Sequence, residues 1–344
     1  MNHRLFFSCD WGTSSFRLRL AEFEGGRIVD ECREAEGAKV IYNRLAEQGR
    51  ATDPVARGRA FEEFLLNRLA LLAHRQQITA AGIPVVISGM ASSTVGWKEV
   101  PYGAAPFSLD GAGVRTEMLR VVDVTGSVTP VTLVSGLTTG HDMMRGEETE
   151  ILGLLSHPEW QSLANDCVMV LPGTHSKHVR VRSGSVTDFR THMTGELIEL
   201  LSTQSLLKVS VRWPLAESPD GGIPDGLRGE FQRGVELAHA EGLGRGLFQT
   251  RVRSVLEQAP PDGNGWFLNG LVVGAEMADL IRWSPTSPIL LATTRRFAAS
   301  YRLALETLGV GDRVRAATAD QMEQASVRAH VLILRQRERE QRTP

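Results

Sequence analysis

Asp10 closes an apolar run, Leu5, Phe6 and Phe7, and is followed by Gly12, Thr13, Ser14 and Ser15 before Phe16, Leu18 and Leu20 resume in alternation with Arg17 and Arg19. Period-two alternation on both sides of a small-residue turn predicts a β-hairpin. Gly12 can take a positive φ, and its missing side chain lets an anion approach the backbone N–H groups beside the Thr13 and Ser14 hydroxyls. A carboxylate at the strand end, Asp10, can then hold a hydrated Mg²⁺ facing that anion. The chemistry this offers is phosphate binding, although the same residues also suit a plain tight hairpin whose Asp and Ser satisfy the turn.

The plan recurs from Val168 to Thr191, where VMVLPGTHSKHVRVRSGSVTDFRT again reads as apolar strand, Gly-Thr turn, alternating strand, second turn and third strand. An internal repeat of a phosphate-binding hairpin suggests two similar halves closing on one ligand. Gly173 and Thr174 would supply backbone and hydroxyl donors, with His175 and Lys177 adding charge or further donors. His178 and Arg180 read as outward surface residues of the strand. The three-residue offset of His175 and His178 falls across a turn and strand, so metal ligation there is not expected. Arg190 suits bidentate binding of a carboxylate or phosphate, with a salt bridge to Asp188 or Glu196 as the alternative.

Two further stretches carry ionisable or binding groups. In TTGHDMMRGEETEILGLL a polar loop enters a helix with Glu147 and Glu148 in its first turn, beside Arg145, Asp142 and His141. Acidic residues in a first turn are favoured by the helix macrodipole, yet a strand-to-helix junction this rich in charge is also where a general base would sit. No H-E-x-x-H or similar metal spacing accompanies it. The loop GMASSTVGWKEVPY offers Ser92, and in Trp97, Lys98 and Tyr102 a stacking face, a cation and a hydroxyl, at the carboxyl end of a predicted strand where ligands collect in α/β sheets. The competing reading has Trp97 plugging a core and Lys98 solvated.

The elements that must position these groups alternate in type. RIVDECR reads as a third strand, Phe61, Phe64, Leu65, Leu69 and Leu72 recur at helical spacing between Arg57 and Gln77, and Pro84–Ser88 and Val131–Leu137 read as further strands. A helix between strands in this way predicts an α/β fold, and 344 residues suffice for two domains, placed at 1–163 and 164–344. Gly270 and Gly274, four apart in a strongly apolar helix, predict a close helix crossing. With 42% hydrophobic and 23% charged residues and a formal charge of −2, nothing electrostatic points to nucleic acid or an anionic membrane as partner. No apolar run reaches membrane-spanning length and no signal peptide is evident, so a cytoplasmic location is expected. The three cysteines, Cys9, Cys32 and Cys167, lack C-x-x-C spacing and support neither a disulfide framework nor a zinc cluster.

Taken together, CDWGTSSFRLRL, GMASSTVGWKEVPY, MRGEETEILG, LPGTHSKHV, DFRTHMTGEL and FLNGLVVGAE resemble the 2-dehydro-3-deoxygalactonokinase family, within the superfamily of actin, hexokinase and heat-shock chaperone ATPases. The resemblance implies two ribonuclease-H-like, actin-like ATPase domains, with mixed sheets flanked by helices and an interdomain cleft. It implies ATP and Mg²⁺ as cofactors, and phosphorylation of 2-dehydro-3-deoxy-D-galactonate at its 6-hydroxyl, giving 2-dehydro-3-deoxy-6-phosphogalactonate in galactonate catabolism. On that basis Asp10, Glu147, Glu148 and Asp142 are the catalytic candidates, and Asp10 is the metal position. Gly12, Thr13, Ser14, Gly173, Thr174, His175 and Lys177 would bind phosphate. Ser92, Trp97, Lys98, Tyr102, Arg145 and Arg190 would bind the sugar acid, and a homodimer is left open. Glu147 is favoured as the base, because Glu148 lies four residues before Leu152 and can turn toward the packed face.

The chain departs from the superfamily pattern toward its end. LLATTRRFAASY, Leu290 to Tyr301, has no glycine where adenosine usually lies against backbone, and neither has ATADQMEQASVRA, where a helix usually packs closely. Either Thr293, Thr294 and Arg295 replace the usual contacts, or the chain is a non-catalytic sugar-acid-binding regulator with a weakened ATP site.

Overall fold

The computed structural model describes residues 4–215, 222–293 and 295–342. The chain forms two compact units, residues 1–164 with 184–187 and 323–344, and residues 165–183 with 188–322. Residues 323–344, most of the last helix, group with the first unit.

The first unit opens with β1 (Leu5–Trp11), β2 (Phe16–Glu22) and β3 (Ile28–Glu34), followed by α1 (Ala38–Glu47), α2 (Pro54–Arg75) and β4 (Val85–Gly89). Two-residue strands β5 (Gly103–Ala104) and β6 (Phe107–Ser108) precede the hairpin β7 (Thr116–Val122) and β8 (Val128–Val134). Then come β9 (Leu137–Thr138), β10 (Met143–Met144) and α3 (Glu147–Leu155). The main sheet runs β3-β2-β1-β4-β8-β7, and a small one runs β10-β9-β5. β1 pairs antiparallel with β2, Asp10 opposite Arg17, and parallel with β4, Asp10 opposite Ser88. Helix α2 starts where Asp53 accepts the Val55 and Ala56 N–H groups and Pro54 fixes φ in the first turn. Its stripe Phe61, Phe64, Leu65, Leu69 and Leu72 then joins Trp11 and Phe16 in one core. The sequence reading did not anticipate α1, whose apolar face is only Ala38, Ile41 and Leu45.

The second unit contains β11 (Asp166–Leu171), β12 (Ser176–Arg182), β13 (Ser185–His192), α4 (Thr194–Thr203), α5 (Arg228–Glu241), α6 (Leu243–Leu256), α7 (Pro261–Trp283), β14 (Ile289–Leu291), α8 (Arg295–Thr307) and β15 (Val314–Ala316). Its strands run β15-β14-β11-β12-β13. The first residues of β13 belong to the first unit through Ser185 and Val186, which pair with Ser108 and Phe107 of β6. Helix α7 crosses α5 where glycines remove every obstruction: a Cβ at Gly270 would lie 2.0 Å from the Phe231 carbonyl oxygen and one at Gly274 2.6 Å from the Val235 Cα. Gly234 of α5 is the reciprocal position, 2.2 Å from the Phe267 carbonyl oxygen. The closing helix α9 (Ala319–Arg342) returns to the first unit, where Val327 and Val331 pack on Phe6, Ala21 and Phe23. There His330 meets Ser8 at 2.8 Å, Arg19 donates to Ser326 at 3.0 Å, and Gly153 lets α3 close on the Ala325 carbonyl.

Both units therefore place an antiparallel three-strand meander beside two parallel strands in the same order, β3-β2-β1-β4-β8 and β13-β12-β11-β14-β15. This is the ribonuclease-H-like arrangement of actin-like ATPases. The likeness extends to detail. In each unit the third strand leads into a helix whose opening glycine touches the first hairpin's turn: Gly37 before α1, with a would-be Cβ 2.3 Å from the Thr13 carbonyl, and Gly195 in α4, 2.6 Å from the Gly173 carbonyl oxygen. No helix among the described residues is long and apolar enough to cross a membrane.

Candidate active site

The first turn is held from behind. The carbonyls of Gly12 and Thr13 accept the N–H groups of Ala38 and Lys39 at the start of α1, at 2.9 and 3.1 Å, and Gly12 N–H donates to the Ser15 carbonyl at 2.9 Å. Thr13, Ser14 and Ser15 are exposed. Gly12 is not among the glycines at positive φ, so the expected reason for glycine there is replaced by space: a Cβ would stand 3.0 Å from Ser15 Oγ.

Asp10 sits where three elements converge. Gly89, at the end of β4, has φ +89°, and a Cβ on it would clash with the Trp11 carbonyl and lie 3.6 Å from Asp10 Oδ1. Gly146, at φ +109° before α3, would place a Cβ 3.5 Å from the Gly89 Cα. Burial raises the Asp10 carboxyl, with Arg17 and Arg19 opposing. On α3, Glu150 is pushed up to about 8, first by burial and then by the negative charges of Asp10 and Glu147. Glu150 was not singled out by sequence. The available signal was its position three residues after Glu147, which puts the two on one helix face.

Glu147, partly exposed, accepts the Arg145 N–H at 3.1 Å. Glu148 is 2% exposed, accepts the Gly146 N–H at 2.7 Å, and has its other oxygen buried without a partner. Glu148, one of the catalytic candidates, is thus buried where Glu147 is partly exposed. Burial and the adjacent Glu147 push it up to about 8. That value exceeds the ordinary carboxylate pKa, so between about pH 4.5 and 8 the folded chain holds a proton that the unfolded chain has lost. The stabilisation is complete below that window and disappears as the pH rises through it. Glu148→Gln should therefore leave the chain more stable than wild type at about pH 9, by a few kcal/mol, with the difference shrinking toward about pH 5. Urea midpoints across the range read this directly; parallel pH curves would mean that Glu148 titrates normally. Asp142 shapes a turn: its carbonyl accepts from Thr138 Oγ1 at 2.8 Å and its Oδ1 accepts the Met143 N–H at 2.7 Å.

The loop after β4 differs most from expectation. Trp97 is 5% exposed and stacks on Phe61 with ring centroids 6.3 Å apart, making it core rather than a ligand platform. Arg145 Nη1 donates to the Ser92 carbonyl at 2.6 Å and to Ser92 Oγ at 2.7 Å, Nη2 donates to the Val100 carbonyl at 3.3 Å, and the guanidinium lies 4.3 Å from the Tyr102 ring centroid. Arg145, Ser92 and Tyr102 thus brace this loop instead of forming a ready carboxylate clamp. Lys98 is exposed and paired with Glu117 at 2.7 Å. In the second unit Arg190 pairs with Asp279 at 3.2 Å, beside Trp283, so the salt-bridge alternative holds with a different partner.

The second turn carries exposed Thr174 and His175, the latter 2.6 Å from Glu196. Lys177 is 5% exposed and points inward. The outward reading of His178 and Arg180 is also corrected: His178 is fully buried against Glu276, and Arg180 lies over the Trp283 ring and donates to its carbonyl at 2.7 Å. Both faces of β12 are covered, so its alternation separates no solvent side. Beside this turn lies a cavity of 160 Å³ lined by Thr174, Gly195, Trp213, Trp266, Asn269 and Phe297. The Asn269 side-chain oxygen is buried and has no hydrogen-bond partner. Phe297 comes from the glycine-free stretch; of the other residues proposed there, Thr294 and the Arg295 side chain lie outside the described residues. At this volume, below the ~300 Å³ of small-ligand pockets, the cavity is too small to enclose a whole small-molecule ligand.

Residues 10–329 match a family model described as 2-keto-3-deoxy-galactonokinase. The chain is 29% identical over 334 residues to the 2-dehydro-3-deoxygalactonokinase of Escherichia coli (strain K12), covering 94% of this chain and 96% of that protein. It is 30% identical over 329 residues to Probable 2-dehydro-3-deoxygalactonokinase DgoK1 of Rhizobium meliloti (strain 1021), covering 94% and 95%. A crystal structure from Sinorhizobium meliloti, described as a 2-dehydro-3-deoxygalactonokinase protein, superposes with a TM-score of 0.77 at 28% identity over 94% of this chain and 97% of that one. A family match across both phosphate-type hairpins, on a fold that repeats the hairpin once per unit, establishes that this chain belongs to the 2-keto-3-deoxy-galactonokinase family of sugar-acid kinases.

Proposed function

We propose that this chain transfers the γ-phosphoryl group of ATP to the 6-hydroxyl of 2-dehydro-3-deoxy-D-galactonate, as a cytoplasmic step of galactonate catabolism. The observation that carries the nucleotide half is the aromatic cavity beside the second turn, with its unpartnered Asn269 oxygen. An adenine ring would stack there and give its amino group to Asn269, with Gly173, Thr174 and His175 receiving phosphate. Side chains thus take over the work that glycine-lined backbone does elsewhere, which weighs against the regulator reading.

Phosphoryl transfer needs alignment and charge neutralisation more than covalent chemistry. Thr13 and Ser14 would donate hydroxyl and backbone hydrogens to phosphate oxygens. Asp10 fits Mg²⁺ in the form expected for that ion, one carboxylate beside a phosphate turn with water completing the shell. Among the described residues no three His, Cys, Asp or Glu side chains are grouped to hold a metal by themselves. When bound, Mg²⁺ would spread the charge developing on the transferred phosphoryl. The face of α3 carrying Glu147 and Glu150 would receive the hydroxyl proton.

The test is a panel of 2-keto-3-deoxy sugar acids offered with Mg-ATP, with the product's phosphate position read by ³¹P–¹H correlation. Phosphorylation at the 6-hydroxyl of the galactonate-derived acid, ahead of its epimers, is the expected result. Binding of the acid without turnover of any panel member would favour the regulator, and phosphorylation elsewhere would overturn the proposed position.

A further inference from the structure

Behind the second turn lies a buried polar network that the mechanism above does not use. Glu276 of α7 is 3% exposed and collects three hydrogen bonds: His178 Nε2 at 2.8 Å on one oxygen, and the hydroxyls of Thr194 and Tyr301 at 2.5 and 2.8 Å on the other. Tyr301 has only one proton, and it goes to Glu276. Ser176 Oγ, 3.0 Å away, must then donate to the Tyr301 oxygen. Burial opposes ionisation of Glu276, but the hydrogen bond and charge of His178 and the hydroxyls outweigh it and hold the carboxyl below its usual range.

The places these partners occupy are specific. Ser176 and His178 open β12, directly after the turn. Thr194 precedes Gly195, the residue pressed on that turn, and the next N–H, of Glu196, donates to the Thr174 carbonyl at 3.1 Å. Tyr301 lies one helical turn after Phe297 on α8, and α7 itself carries Trp266 and Asn269. One carboxylate is therefore tied to the strand that follows the turn and to the three helices, α4, α7 and α8, that wall the aromatic cavity. A buried charge is a poor device for stability alone, since apolar groups of like volume often serve as well. What it supplies is direction.

We infer that Glu276 is a positioning residue that fixes the spacing between the second phosphate turn and the aromatic cavity, so that one nucleotide can occupy both. This rests on the nucleotide assignment proposed above. Disturbing the spacing weakens ligands that bridge the two places and spares those that occupy one.

Glu276→Gln should raise KM for ATP by about tenfold or more, while KM for the sugar acid stays within about twofold. Against ATP, the inhibition constants of adenosine and of inorganic tripolyphosphate should each stay within about twofold of wild type. Tyr301→Phe, which deletes one hydroxyl and is the deciding variant if Glu276→Gln does not fold, should show the same split to a smaller degree. Thr194→Ser should retain the wild-type KM for ATP and Thr194→Val should not. An unchanged KM for ATP in folded variants, or an equal loss for adenosine and ATP, overturns the positioning role. Failure of the wild-type chain to use ATP at all would instead sink the nucleotide assignment.

Discussion

Asp10→Asn is expected to lower kcat by orders of magnitude while leaving the fold and sugar-acid affinity intact. Asp10 is the last residue but one of β1, just before the exposed Thr13–Ser15 turn, at the meeting point of Gly89 and Gly146, where space has been cleared of side chains. Asparagine keeps the volume and one hydrogen-bonding oxygen and removes the charge that water bound to Mg²⁺ would face. It also removes a negative neighbour of Glu150, whose carboxyl Asp10 helps to push up to about 8. The variant should therefore be no less stable than wild type, which separates loss of chemistry from loss of structure. Steady-state kinetics, circular dichroism and calorimetric titration of the sugar acid together make the test. Turnover near that of wild type would remove Asp10 from the mechanism.

What could be read from sequence follows a physical division. The two hairpins are legible because their turns need small residues and their strands alternate, and both signals are local. The crossing of α5 and α7 is legible for the same reason, from Gly270 and Gly274. Which way a loop aromatic or a loop cation faces is not local. Trp97 turns inward because Phe61 of α2 waits there, and Arg145 is consumed by the Ser92 and Val100 carbonyls of a loop far upstream. His178 misled because alternation was taken to separate core from solvent, whereas α7 covers that face and supplies Glu276. The return of α9 to the first unit is likewise invisible to periodicity; it depends on matching Ser8 and Arg19 to His330 and Ser326.

Glu150 is the clearest case of a signal present but unread, and it changes the expected identity of the base. Glu147 was the sequence-based choice, yet its carboxylate is already engaged by the Arg145 N–H at the start of α3. Glu150 sits on the same face one turn further in, remains partly exposed, and feels the charge of Asp10 more strongly than that of Glu147. A hydroxyl placed beside the Asp10 site would find in the ionised form of Glu150, which gains population as the pH approaches 8, a strong base for its proton. Glu150→Gln should lower kcat by about 10²–10⁴-fold with little change in sugar-acid Kd, the signature of a group that acts in the transition state. Glu147→Gln should cost much less, through a loosened start of α3, and it should raise KM and lower kcat together. The two substitutions are isosteric, so their comparison does not depend on a cavity. If Glu147→Gln abolishes turnover while Glu150→Gln retains it, the base is Glu147 and the site geometry has been misread by one helical turn. If both remain active, neither Glu147 nor Glu150 accepts the proton, and the rate must come from another group or from positioning by the two turns.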